Sequence, residues 1–228
     1  MKIEILARPA AAVAKVSMDA GETLIAEVGS MIAMSPSFRV ETTSRGRGQG
    51  GIMRGIRRMF SGESFFLNHF TATGPGQEII LGATLAGDVK HHRLAGGTLV
   101  VQGGSWMGSG AGIDIDTTFQ GLGAGLLGGE GLFWVKCSGQ GDLLLESFGA
   151  IYEVDVRDEY IVDTGHIVAY EDTLHFEITK AGESWIGSFL GGEGLACRFK
   201  GQGKLYCQSH NPASFGKAIG PRLRPIRR

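Results

Sequence analysis

Phe60-Ser-Gly-Glu-Ser-Phe-Phe-Leu-Asn-His-Phe, Leu127-Gly-Gly-Glu-Gly-Leu-Phe-Trp-Val-Lys-Cys and Leu190-Gly-Gly-Glu-Gly-Leu-Ala-Cys-Arg-Phe-Lys are three versions of one phrase. Each runs on into a Gly-rich segment that reads as a turn (Gly74-Pro-Gly-Gln, Gly139-Gln-Gly-Asp, Gly201-Gln-Gly-Lys) and then into a second apolar run. The copies begin about 65 residues apart, a longer period than solenoid repeats use, so each unit is a β-module with several strands of its own.

Working outward, the same succession leads into each copy. Lys2–Ala7, Val13–Met18 and Thr23–Val28 read as strands, followed by Gly29-Ser-Met-Ile-Ala-Met. The second cycle has Thr98–Val101, Gly104-Ser-Trp-Met and Ile113–Phe119, and the third Tyr160–Val162, Gly165-His-Ile-Val-Ala-Tyr and Thr173–Ile178. The pattern predicts an all-β body over residues 1–211, made of units at about 1–83, 84–148 and 149–211, with a basic tail over 212–228. No Pro-rich, Ser-rich or charged linker divides the units, which favours a single pseudo-threefold body. Stacked β-units must hide their edge strands against one another or against another subunit.

Composition agrees. A chain of 228 residues buries roughly 70–75% of its unfolded surface and needs neither disulfide nor metal for stability. Its 38 glycines suit tight turns, because Gly in a helix interior costs about 1 kcal/mol relative to Ala. With only 6 prolines and 43% hydrophobic residues, a collagen-like or disordered chain is excluded. Cys137, Cys197 and Cys207 lie in apolar runs without CxxC spacing, so they read as small hydrophobes in a reducing compartment. The N-terminal Met1-Lys-Ile-Glu-Ile-Leu alternates like a strand, and no apolar stretch is long enough to span a bilayer. A cytoplasmic location is expected.

The net charge of −1 excludes a globally basic nucleic-acid binder but conceals an asymmetry. Arg45, Arg47, Arg54, Arg57 and Arg58 stand between Glu41 and Glu63, and the tail adds Arg222, Arg224, Arg227 and Arg228. Acids gather between Asp142 and Glu183. Such separation can orient a protein toward an anionic surface or toward another copy of itself.

Three segments carry a wider resemblance: Met18-Asp-Ala-Gly-Glu-Thr-Leu-Ile-Ala-Glu-Val-Gly-Ser-Met-Ile-Ala-Met, Gly62-Glu-Ser-Phe-Phe-Leu-Asn and Val162-Asp-Thr-Gly-His-Ile-Val-Ala-Tyr. Over residues 1–211 the chain resembles the mitochondrial-biogenesis family named for altered inheritance of mitochondria, whose bacterial members are mostly uncharacterised. The resemblance implies a double-stranded β-helix like that of the tryptophan RNA-binding attenuation protein, with internal triplication. It supplies no catalytic set to carry over, and no cofactor is expected. The mitochondrial members' link to inner-membrane organisation suggests a scaffold, which transfers to this chain only by analogy.

The residues themselves support no enzyme. Gly123-Ala-Gly-Leu-Leu-Gly matches GxGxxG, but a dinucleotide site needs a βαβ unit around that motif. Glu63, Glu130 and Glu193 hold the same place in each repeat. Three carboxylates near a threefold axis could bind a hard cation, though a Glu after small residues more often satisfies backbone amides. His91 and His92, between Lys90 and Arg93, read as a polar turn; His166 reads as structural; Asp114 and Asp116 read as a solvated strand face.

The remaining candidate surface is the set of Gly-studded connections. It comprises Ile52, Arg54, Ile56, Arg57 and Arg58 in the first, Leu126 in the second, and Trp185 and Phe189 in the third. Packed inward these residues close the β-body; facing outward they form an Arg-rimmed apolar patch for a membrane surface or protein partner. The expected protein is a non-enzymatic homo-oligomeric scaffold. The alternatives are a small-ligand or metal-binding module near the threefold axis and, less favoured, RNA binding by an oligomer.

Overall fold

The computed structural model describes residues 1–45, 65–116, 134–179 and 196–223. Within them the chain is all-β apart from one short helix and three single 3-10 turns. The candidate residues Ile52, Arg54, Ile56, Arg57, Arg58, Glu63, Leu126, Glu130, Trp185, Phe189 and Glu193 lie outside the described residues, as does the GxGxxG segment.

The strands are β1 (Lys2–Leu6), β2 (Val13–Met18), β3 (Thr23–Glu27), β4 (Met31–Met34), β5 (Phe38–Arg45), β6 (Phe65–Ala72), β7 (Gln77–Gly82), β8 (Val89–Gln102), β9 (Trp106–Gly110), β10 (Ile113–Asp116) and β11 (Trp134–Glu146). They continue with β12 (Ile151–Val156), β13 (Glu159–Asp163), β14 (Ile167–Glu171), β15 (Leu174–Thr179), β16 (Ala196–Gly201) and β17 (Gly203–Gln208). Helix α1 (Pro212–Ile219) follows, so the expected tail begins as a helix. Asn211 caps it by accepting the Ser214 N–H at 3.1 Å, and Phe215 rests on Phe148 with ring centroids 5.1 Å apart.

One set of antiparallel pairings occurs three times along the chain. β2 pairs with β7, the first half of β8 with the second half of β11, and β12 with β17. β3 pairs with β6, the second half of β8 with the first half of β11, and β13 with β16. β4, β9 and β14 each lie on β7, β11 and β17 respectively, every one with a register shift at the same point. β5–β6, β10–β11 and β15–β16 complete the set, so each Gly-rich connection joins two adjacent antiparallel strands. A βαβ crossover requires parallel strands, and the antiparallel β10–β11 pair removes the dinucleotide reading of Gly123–Gly128.

Two seams weld these stretches together. β3 pairs with β9 through Leu24↔Gly110, Ile25↔Ser109 and Ala26↔Gly108. β14 pairs with β8 through Ala169↔Val101, Tyr170↔Val100 and Glu171↔Leu99. Strand alternation puts apolar side chains inward, as in β2, where Ala14, Val16 and Met18 are buried between half-exposed neighbours. Three clusters result, each completed by a neighbour. Met107 and Leu144 enter the cluster around Phe70 and Leu81. Ile25, Leu67 and Val168 enter the one around Trp106 and Leu143. Val100 and Trp134 enter the one around Phe199 and Cys207.

Two sequence expectations are corrected. Gly139-Gln-Gly-Asp is no turn: β11 runs straight through it, with a bulge between Ser138 and Gln140. Gly139 has φ +111°, a bulge conformation that a glycine supplies as readily as it supplies a turn. His91 and His92 lie not in a turn but near the start of β8, opposite Leu144 and Leu143.

Gly139 is also sterically fixed, since a Cβ there would lie 2.5 Å from the Gly112 carbonyl oxygen. Gly139→Ala is expected to destabilise the fold by about 1–3 kcal/mol, read as a lower urea midpoint. An unchanged midpoint would show that the bulge does not constrain the β10–β11 junction.

Candidate functional site

The last residues of four strands converge. Glu27 ends β3, Gln102 ends β8, Glu146 ends β11 and Gln208 ends β17. All four line a cavity of about 340 Å³, together with Ser105 and Phe148. Strand ends meet here because the three stretches run their paired strands toward a common junction. There Asp88 N–H bonds to the Gly149 carbonyl at 2.9 Å and the Ser147 hydroxyl donates to the same carbonyl at 2.6 Å.

The polar groups around the junction divide into two kinds. Gln208 is committed: its side-chain carbonyl accepts the Phe148 N–H at 2.9 Å, and its amide donates to the Gly165 carbonyl at 2.9 Å. His166 Nδ1 meets the Gln208 backbone carbonyl at 2.8 Å, as befits its structural reading. Asp163, at the end of β13, accepts the Gly165 N–H at 2.8 Å. Glu27 and Glu146 are different, for neither carboxylate has a hydrogen-bond or ion-pair partner among the described residues. Glu146 is only 8% exposed. Burial pushes the Glu27 carboxyl up to about 7. Burial, reinforced by the charge of Glu27, pushes Glu146 up to about 8. Both acids therefore hold protons through part of the neutral range.

Elsewhere the chemistry is structural. Asp142 sits between His91 Nε2 and Arg93 Nη1, each 2.8 Å from Oδ1. Burial alone would raise its carboxyl, but those two hydrogen bonds hold it below its ordinary range. Arg8 grips buried Asp88 through two bonds of 2.8 and 2.7 Å. His92 is half-buried, its ring edge-on to Tyr206, and burial lowers its affinity for a proton. Burial pushes the Cys137 and Cys197 thiols up to about 12 and Cys207 to about 11, which leaves no thiolate nucleophile among them at neutral pH. Asp114 and Asp116 are the exposed residues of β10, consistent with a solvated face. Among the described residues no group of three His, Cys, Asp or Glu side chains could hold a metal, and no helix is long and apolar enough to cross a membrane.

Sequence reasoning passed over Glu27 and Glu146. Their one local signal is an acid closing an apolar strand, in Leu24-Ile-Ala-Glu and Leu143-Leu-Leu-Glu.

A family model described as "Mitochondrial biogenesis AIM24" matches residues 3–210. An uncharacterized protein of Streptococcus pyogenes serotype M6 is 28% identical over 217 residues, covering 90% of this chain and 84% of that protein. A crystal structure of the Streptococcus pyogenes protein SPYM3_0169 superposes with a TM-score of 0.77 at 23% identity, covering 97% of this chain and 99% of that one. At that identity the likeness speaks for the fold alone.

The raised acids carry a pH signature. An unfolded glutamate titrates near 4.3, whereas folded Glu146 titrates at about 8. The folded chain thus holds the extra proton, so this stabilising contribution is complete below about pH 4 and is lost as pH rises through about 8. Glu146→Gln removes the loss. Its melting temperature should exceed that of the wild type by about 3–8 °C near pH 9 and match it near pH 4. A variant destabilised equally at both would contradict the protonated state.

Proposed function

Because the chain belongs to the mitochondrial biogenesis AIM24 family, whose matched relative is itself uncharacterized, we propose from its own geometry that it is a non-enzymatic assembly protein. It is a β-scaffold in which the open edges of β4 and β13 join one copy to the next. The three recurring sets of pairings support reading the body as a triplicated double-stranded β-helix, in which each unit presents one edge to its neighbour.

The observation that carries this is a missing third seam. β9 lies between β11 and β3, and β14 between β17 and β8. The equivalent strand β4 has β7 on one side and no partner on the other among the described residues. β13, the equivalent of β3 and of the second half of β8, likewise has only β16. Burial follows the pairing. All of β9 and residues 167–170 of β14 are buried, whereas all four residues of β4 are exposed, Ile32 by 59%. On β13, Tyr160 is 43% and Ile161 49% exposed.

Register makes the match specific. Ala26 pairs with Gly108 in the first seam and Val101 with Ala169 in the second. The equivalent third pairing sets Val162 opposite Ala33, Ile161 opposite Met34 and Tyr160 opposite Ser35. β4 bears no charge and no proline to discourage an incoming strand. Covering an isoleucine fully contributes about 1.5–3 kcal/mol, and each new backbone hydrogen bond about 0.5–1.5 kcal/mol net. A β4 edge meeting a β13 edge is a head-to-tail contact, which closes into a ring or propagates.

Crosslinking tests the register. Met34→Cys and Ile161→Cys chains, each made alone and then mixed under oxidation, should give a disulfide dimer in the mixture and little in either alone. If the double variant instead crosslinks only within single chains, the edges close on themselves and the assembly reading fails. Ile32→Asp should shift light-scattering mass toward the monomer.

A further inference from the structure

We infer that the cavity at the ends of β3, β8, β11 and β17 binds a small organic cation, a free amine or guanidine, held between Glu27 and Glu146. The argument begins with Glu146. It is more than nine-tenths buried and lines the cavity, yet its carboxylate has no hydrogen bond and no ion pair among the described residues. A buried acid in that state is costly unless it binds a proton or a cation. Folds usually avoid the cost by placing a basic or amide donor alongside, and Gln208, on the equivalent strand end of the last stretch, is pinned by two hydrogen bonds. Glu146 is left open toward the cavity, and Glu27 adds a second acid to the same lining.

The rest of the lining fits such a ligand. Gln102 and Ser105 offer neutral polar groups, and Phe148 offers a ring edge or face for the alkyl or cationic part. A volume of about 340 Å³ lies at the small end of ligand pockets, which span about 300–1,000 Å³. That suits a molecule of a few to a dozen or so heavy atoms. A divalent metal is a poorer match. Hard cations such as calcium take six to eight oxygen ligands, and the described residues bring no third carboxylate or imidazole to these two. An ammonium has three N–H donors and an alkylguanidinium five, so two carboxylates and one or two neutral acceptors can satisfy either. A cation entering the site replaces the protons that burial keeps on the two acids, so binding releases protons near neutral pH.

This site is separate from the β4 and β13 edges, and its test stands apart from assembly. Calorimetric titrations of the full chain with agmatine, putrescine and calcium chloride, with butanol as a neutral control, decide it. Agmatine or putrescine should bind with heat that changes with buffer ionisation enthalpy. Glu146→Gln should weaken binding at least about tenfold, and Glu27→Gln, at a more accessible position, should weaken it less. Circular dichroism of the two variants confirms that each is folded. Absence of amine binding, binding undiminished in both variants, or binding of calcium alone would each overturn the proposal.

Discussion

Backbone pairing across the two seams, β3 with β9 and β8 with β14, is the constraint on which the rest of the molecule depends. Without them the three hairpin sets would each expose an apolar face and an open edge. None could close its core alone, because every hydrophobic cluster includes side chains from a neighbouring set, among them Met107, Val168 and Trp134. The seams are narrow. A Cβ at Gly108 would meet the Ile25 carbonyl at 2.8 Å, so close backbone approach at that seam requires a glycine. The same geometry explains why β4 and β13 stand out. They have the shape and apolar character of seam strands but not the cover.

The convergence of strand ends is a second consequence. Once β8 and β11 bridge the outer sets, the C-terminal residues of β3, β8, β11 and β17 arrive at one place. Polar residues are expected where strands stop and backbone groups must find partners, and Gln208 and Asp163 serve that purpose. Glu27 and Glu146 have no such partner among the described residues, and these two raised acids make the junction chemically distinct from the turn hardware around it.

Much of the fold is legible in the sequence. Val13–Met18 alternates less cleanly than Lys2–Ala7, yet the strand is found there to the residue. Gly104-Ser-Trp-Met and Gly165-His-Ile-Val match because each pairs a short turn with a strand that starts out buried. What misleads is chemistry with two meanings. Gly139 supplies positive φ equally for a turn and for a bulge, and only the partner strand tells them apart. The polar run Lys90-His-His-Arg resembles a loop, yet Asp142 and Tyr206, from distant strands, give its side chains partners that keep it in β8. The cavity acids escape local reading entirely, because their proximity is created by the seams and not by spacing along the chain. The candidate connections, from Ile52 to Phe189, fall outside the described residues, so the edges and the cavity carry the functional account.

The central claim is that β4 and β13 are seam strands awaiting a second copy. Amide hydrogen exchange across a dilution series reads this directly. Amides of β3 and β14 should stay protected at every concentration. Those on the free edges of β4 and β13 should be protected at high concentration and exchange rapidly on dilution, in parallel with each other. Protection of both edges that is independent of concentration, or rapid exchange at all concentrations, would contradict the account.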